Sequence, residues 1–145
     1  MGKIEKSIEI RAPLEKVWEM LALDRLPEWA DVLEMKSAKY ISEVRISKDK
    51  YVVGASAHII EKRWEYDLEI IESLENDKMT VQSKGKYAYT TIYILKPIDE
   101  GTKLTYLSEY GTGGILGRTF AKLFAGTLEK QVDQALEKLK NILEK

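Results

Sequence analysis

Residues 113–144 constrain this chain more than any other stretch. Apolar side chains recur at Leu116, Phe120, Leu123, Phe124, Leu128, Val132, Leu136, Leu139 and Leu143. Steps of three and four residues place them on one stripe of an α-helix. At 1.5 Å per residue the run spans roughly 45 Å, enough to lie across a whole sheet. Its two halves differ. From Leu128 onward Glu129, Lys130, Asp133, Glu137, Lys138 and Lys140 lie off the stripe, and the helix is cleanly amphipathic. From Ile115 to Gly126 it is apolar nearly all round and carries Gly117 and Gly126. Each interior glycine costs about 1 kcal/mol relative to alanine. The expected division is a fixed C-terminal brace and a looser first half that covers something.

What such a helix covers is read from the rest of the chain. Lys3–Arg11 alternates, with Ile4, Ile8 and Ile10 on one face and Glu5, Ser7, Glu9 and Arg11 on the other, which predicts a half-buried strand. Ala12-Pro13 ends it and opens a short helix over Pro13–Ala22, with Val17, Trp18 and Leu21 inward. Asp24 is placed to cap a second short helix carrying Leu26, Pro27 and Trp29. Strands are predicted over Lys36–Ile46, Tyr51–Ile60, Arg63–Ser73, Met79–Ser83, Tyr87–Lys96 and Lys103–Tyr110, joined by polar turns. Short connections make neighbouring strands antiparallel. The order β-α-α-β6-α predicts an α+β fold: about seven antiparallel strands whose buried face the long helix covers.

Composition narrows the function classes. The 145 residues predict one domain, 1–145, and 44% hydrophobic content is ordinary for a soluble globular protein. A net charge of −1, from 23 basic and 24 acidic residues, gives no motive for nucleic acid or an anionic membrane surface. No run of 18 apolar residues offers a membrane span, and MGKIEKSIEI has no signal-peptide core. Lys6 stands where a myristoylation signal would carry a hydroxyl. No cysteine is present, so disulfides and thiolate chemistry are excluded. The expected location is cytoplasmic.

Three segments resemble the helix-grip (SRPBCC) superfamily, which includes START lipid-binding domains, birch-pollen-allergen-type proteins, and polyketide cyclases and dehydratases. Ile8-Glu9-Ile10-Arg11-Ala12-Pro13-Leu14-Glu15-Lys16-Val17-Trp18, followed by Leu21, Asp24 and Trp29, is similar to its opening strand, Ala-Pro turn and Val-Trp helix. Gly101-Thr102-Lys103-Leu104-Thr105-Tyr106 resembles the Gly-Thr start of its last strand, and Gly113-Gly114-Ile115-Leu116-Gly117-Arg118 its entry into the final helix. Residues 29–54 are longer than is usual there. The resemblance covers essentially the whole chain. It implies a curved sheet wrapped around the C-terminal helix with an elongated apolar cavity between them. The small residues Gly54, Ala55, Ser56 and Ala57 would leave room for it. It does not fix an activity, because carriers, receptors, cyclases and helper modules share the scaffold.

The register implied by the resemblance turns Tyr87, Tyr89, Tyr93, Tyr106 and Tyr110 inward, giving a wall of apolar rings with a few hydroxyls. Ile92, Ile94 and Leu107 would then face outward. The other reading is an exposed aromatic face, since aromatics favour strands in any case. Trp64 and Tyr66 share a face with Leu68 and Ile70, opposite Glu65, Asp67 and Glu69, a carboxylate row that ordinarily faces solvent. His58, the only histidine, is the natural proton shuttle. Without an identified partner it is a poor catalytic set, and a structural or surface role is its ordinary reading. Leu116, Phe120 and Phe124 would touch a ligand from the helix. Arg118 and Arg63 could take an anionic head group, although each also reads as a surface arginine. Gly111, Gly113, Gly114 and Gly117 lack a Walker Lys-Ser/Thr and read as hinge or packing glycines. No spacing suggests a metal site or a resident cofactor. The expected function is binding or transport of a small hydrophobic molecule (lipid, isoprenoid, quinone or polyketide-like). The alternatives are a cyclase/dehydratase-type enzyme and an interaction or helper module, including a homodimer.

Overall fold

Alternation along the first strand sets the pattern of the whole sheet. The computed structural model describes residues 2–31, 35–61, 65–84, 89–110 and 114–145; for residues 2, 110 and 114–127 that description is of the backbone alone. The order is β1 (Gly2–Ile10), α1 (Leu14–Glu19), α2 (Leu26–Trp29), β2 (Met35–Tyr40), β3 (Ser56–Glu61), β4 (Glu65–Leu74), β5 (Lys78–Lys84), β6 (Tyr89–Ile98), β7 (Gly101–Tyr110) and α3 (Gly114–Leu143). One seven-stranded sheet runs β1-β7-β6-β5-β4-β3-β2. Every pairing is antiparallel. The sheet curls into a half-barrel with α3 as its cover, the helix-grip arrangement.

Burial follows the pleat. Ile4 and Ile10 on β1, Ala57 and Ile59 on β3, Leu68 and Ile70 on β4, Tyr93 and Leu95 on β6, and Leu104 and Tyr106 on β7 are all buried. Their sequence neighbours point to the convex face. Val132, Ala135, Leu136 and Leu139 of α3 join the same core. Burying a side chain the size of Leu139 contributes roughly 1.5–3 kcal/mol. Polar contacts fix this half of the helix beside β1. Asp133 meets Lys6 at 3.4 Å, Lys138 meets Asp31 at 2.7 Å, and Glu144 accepts the Arg11 amide at 3.0 Å. The helix therefore runs parallel to β1. The C-terminal brace expected from the sequence is in place; the side chains of residues 114–127 lie outside the described residues.

Two of the sequence motifs turn out to be each other's partners. The Thr102 hydroxyl donates to the Ala12 carbonyl at 2.8 Å. A Cβ on Gly101 would sit 2.1 Å from the Ile10 carbonyl oxygen and 2.9 Å from the Arg11 Cα. The Gly-Thr pair thus lets the last strand close against the Ala-Pro turn, where no side chain fits. Trp29, also buried, donates its indole N–H to the Met20 carbonyl at 2.9 Å and ties α2 to the end of α1.

Local chemistry shifts several predicted boundaries. Helix α1 stops at Glu19 rather than Ala22, and Pro13 is its N-cap rather than its first residue. Asp24 caps nothing. It lies inside a short 3-10 turn, where its carboxylate accepts the Tyr40 hydroxyl at 3.2 Å and pairs with Lys50 at 3.0 Å. The strands predicted over Lys36–Ile46 and Tyr51–Ile60 are each cut short, because the Asp49 carboxylate takes the backbone N–H groups of Arg45 and Ile46 at 2.8 and 3.1 Å. A side chain that satisfies the backbone locally competes with the strand ladder. It winds Ser47–Tyr51 into a 3-10 helix, and Gly54 at φ +97° turns the chain back into β3.

Candidate functional site

Among the described residues, a group of polar side chains gathers at one end of the concave face. That end is formed by the close of β3, β5 and β7 and the start of β4 and β6. Glu61, Tyr66 and Tyr89 reach it from β3, β4 and β6. The Tyr66 hydroxyl donates to the Glu61 carboxylate at 2.6 Å and lies 2.8 Å from the Tyr89 hydroxyl. The two rings meet edge to face at 5.7 Å. One turn of the pleat away, Tyr93 packs edge to face between Trp29, at 6.2 Å, and Tyr106, at 5.8 Å. Thr91 donates to Ser108 at 3.3 Å. Ser83 accepts the Tyr89 amide at 2.8 Å.

Tyr93 differs from its neighbours. It is only 4% exposed, whereas Tyr66 and Tyr89 are half-buried. Burial raises the pKa of Tyr66, Tyr89, Tyr93 and Tyr106 above the ordinary phenol value, and the neighbouring acidic groups add to the shift at Tyr66. All four are therefore neutral hydroxyls at physiological pH, able to orient a polar group but not to act as phenolate bases.

Of the expected ligand-contacting residues, the structure brings Tyr66, Tyr89, Tyr93 and Tyr106 together on the concave face. His58 does not join them. It lies on the convex face, where Nδ1 is 2.8 Å from Asp67 and Nε2 is 2.9 Å from Glu65. These hydrogen bonds, Asp67's first, raise its pKa above 6.5. Parity explains the placement, since Ala57 and Ile59 on either side of it are buried. The carboxylate row of Glu65, Asp67 and Glu69 shares that outer face, with Glu69 paired to Lys84 at 2.6 Å. Trp64 lies outside the described residues, as do the side chains of Tyr110, Leu116, Arg118, Phe120 and Phe124.

Glu61, Ser83, Thr91 and Ser108 were not among the expected site residues. The signal for three of them is parity: Thr91 stands between Tyr89 and Tyr93, Ser108 follows Tyr106, and Glu61 follows Ala57 and Ile59, each at a step of two along a strand. Among the described residues no group of three or more His, Asp or Glu side chains is arranged to hold a metal. No helix among them is long and apolar enough to cross a membrane.

A separate groove of about 440 Å³ lies in the β2–β3 connection and is lined by Ser42, Glu43, Arg45, Asp49, Val52, Val53, Gly54 and Ala55. It shares no residue with the tyrosine cluster. Val52 and Val53 of its lining stand exposed, as do Ile41, Ile46 and, on β4, Ile71 and Leu74. The Gly54 amide, bonded to the Ile70 carbonyl at 2.9 Å, holds the two segments side by side. Ile92, Ile94 and Leu107, which the sequence places outward, are half-buried on the convex face.

Solved structures with this fold include the Aha1 dimer from Colwellia psychrerythraea, 17% identical over 99% of this chain and 97% of that one, TM-score 0.71. A Bacillus halodurans protein is 18% identical over 99% and 98% of the two chains, TM-score 0.72. One from Thermus thermophilus is 18% identical over 97% and 95%, TM-score 0.69. At such identities the likeness is one of fold. No curated protein matches the sequence at a significant level. The family described as polyketide cyclase / dehydrase and lipid transport matches residues 1–144. With a match along nearly its whole length, on a helix-grip fold, the chain belongs to that family within the SRPBCC superfamily.

Proposed function

We propose that the protein binds a small, mostly apolar molecule between the concave face of the sheet and α3. The observation that carries this reading is the aromatic wall of the concave face, where the buried ring of Tyr93 packs edge to face between Trp29 and Tyr106. Such rings offer a ligand apolar surface, and their hydroxyls can meet a ligand oxygen. The family's description, polyketide cyclase / dehydrase and lipid transport, is in keeping with a lipid or polyketide-like ligand; an isoprenoid or quinone is of the same apolar kind. Binding or carriage is favoured over cyclase or dehydratase chemistry, because the tyrosines are held neutral and His58 faces away from them. Native mass spectrometry of the purified protein, followed by solvent extraction, tests the reading. A stoichiometric apolar molecule is expected, and Tyr93→Phe should reduce its retention about tenfold, the worth of one hydrogen bond. A ligand-free protein that also takes up no apolar probe would refute it.

Self-association is a second reading, favoured by the exposed aliphatic side chains of Ile41, Ile46, Val52, Val53, Ile71 and Leu74. Exposed apolar side chains that gather into a patch mark interaction surfaces. Light scattering would decide: a dimer that Val53→Lys dissociates supports the reading, and a monomer at high concentration removes it.

A further inference from the structure

The hydrogen-bond chain on the concave face has a direction, and the direction selects the ligand. A tyrosine hydroxyl carries one proton. Tyr66 gives its proton to the Glu61 carboxylate, at 2.6 Å. Its contact with Tyr89, at 2.8 Å, must then be made by the Tyr89 proton, donated to a Tyr66 lone pair. The order is fixed by the carboxylate end: Glu61 accepts from Tyr66, and Tyr66 accepts from Tyr89. Neither tyrosine has a proton left to offer. Tyr89 meets any further group with lone pairs only.

From this polarity we infer that the polar end of the bound molecule is a neutral hydrogen-bond donor, a hydroxyl or phenol that gives its proton to Tyr89, and not a carboxylate or phosphate. The inference rests on the binding reading above and narrows it to a ligand class. An anionic head group placed at Tyr89 would find lone pairs opposite its own. It would gain no hydrogen bond from Tyr89 to replace those it gave up in water. A hydroxyl at the same place extends the chain by one link, and each link polarises the next towards Glu61. Selection therefore comes from the cost imposed on the wrong head group as much as from the attraction of the right one.

Three probes of one shape separate the possibilities: 2-naphthol (donor), 2-methoxynaphthalene (no donor) and 2-naphthoate (anion), titrated calorimetrically into the purified full chain near pH 7. The expected order is 2-naphthol tightest, the ether about tenfold weaker, and the carboxylate weaker again, about a hundredfold below the naphthol. Tyr66→Phe frees the Tyr89 proton, and the preference for naphthol over naphthoate should then shrink about tenfold. Tyr89→Phe removes the acceptor itself and should bring naphthol down to the level of the ether. It decides the matter if Tyr66→Phe fails to fold. Naphthoate binding as tightly as naphthol, or an unchanged preference in both variants, overturns the donor inference while leaving apolar binding intact. If none of the three probes binds, the binding reading itself falls.

Discussion

Glu65, Tyr66 and Asp67 are consecutive in the chain and face two different environments. Tyr66 turns to the concave side, where Glu61 and Tyr89 hold it in a directed chain. Glu65 and Asp67 turn to the convex side, where they hold the two nitrogens of His58. Both groups join carboxylates to a titratable partner at 2.6–2.9 Å. They differ in what surrounds them. On the convex face the side chains of His58, Asp67 and Glu65 are 38, 42 and 61% exposed, so water and salt screen the interaction. On the concave face Tyr66 and Tyr89 are half-buried, and burial raises the pKa of both phenols, so each hydrogen bond is made in a poorer solvent. Contact distance alone does not separate a site from a surface ion pair; the medium does.

The largest expected contrast is in packing. Leu68→Ala removes a buried side chain from the concave face and should lose about 2–5 kcal/mol of unfolding free energy. Glu69→Ala, one residue along and pointing to the convex face, should leave the urea midpoint nearly unchanged. Similar losses from both would show that the two faces are not divided as described.

Smaller, and aimed at the polar groups, is the comparison of Tyr66→Phe with His58→Gln. Tyr66→Phe deletes the middle link of the chain and leaves Glu61 without that donor, which should destabilise by about 1–2 kcal/mol. His58→Gln should have the lesser effect, and one that fades in high salt, as screened pairs do. A His58→Gln loss exceeding that of Tyr66→Phe at high salt would reverse the ranking of the two faces.

Alkaline titration separates the faces by ionisation. Burial raises the pKa of Tyr66, Tyr89, Tyr93 and Tyr106 in the folded chain. Their contribution to stability is complete below the unfolded phenol value near 10 and declines as pH rises above it. Each such tyrosine removes about 1.4 kcal/mol per pH unit in that window. Phenolate absorbance from these residues should therefore appear together with unfolding followed by circular dichroism. Their ionisation in a still-folded protein would mean that the concave face is wetter than its burial indicates.

How much of this was legible beforehand depends on the range of the interaction involved. The long helix and seven strands follow from periodicity, which only a buried face imposes. The inward tyrosines followed from register implied by family resemblance, and their burial bears that out for Tyr93 and Tyr106. Glu61 was missed for a local reason: the strand was expected to end at Ile60, and it ends one residue later. That residue is the carboxylate on which the chain of hydroxyls terminates. The β2–β3 connection was misread because Asp49 and Gly54 override the local strand preference. The meeting of Gly101-Thr102 with Ala12 joins residues about ninety positions apart, and no local pattern contains it.

The smallest effect is the sharpest probe of the outer face, because His58 is the only histidine and its imidazole resonances need no assignment. Hydrogen bonds to Asp67 and then Glu65 raise its pKa above 6.5 in the folded state. A raised folded pKa means the protonated form is favoured by folding. Its stabilisation is complete below pH 6.5 and is lost as pH rises through the folded value. The NMR titration midpoint should lie above 6.5, fall more in Asp67→Asn than in Glu65→Gln, and fall again in high salt. The same window tests the separation of the faces. Affinity for 2-naphthol should stay flat while His58 loses its proton, because the imidazole stands on the opposite side of the sheet from Tyr89. A binding curve that follows the His58 titration would instead bring His58 back into the ligand's environment.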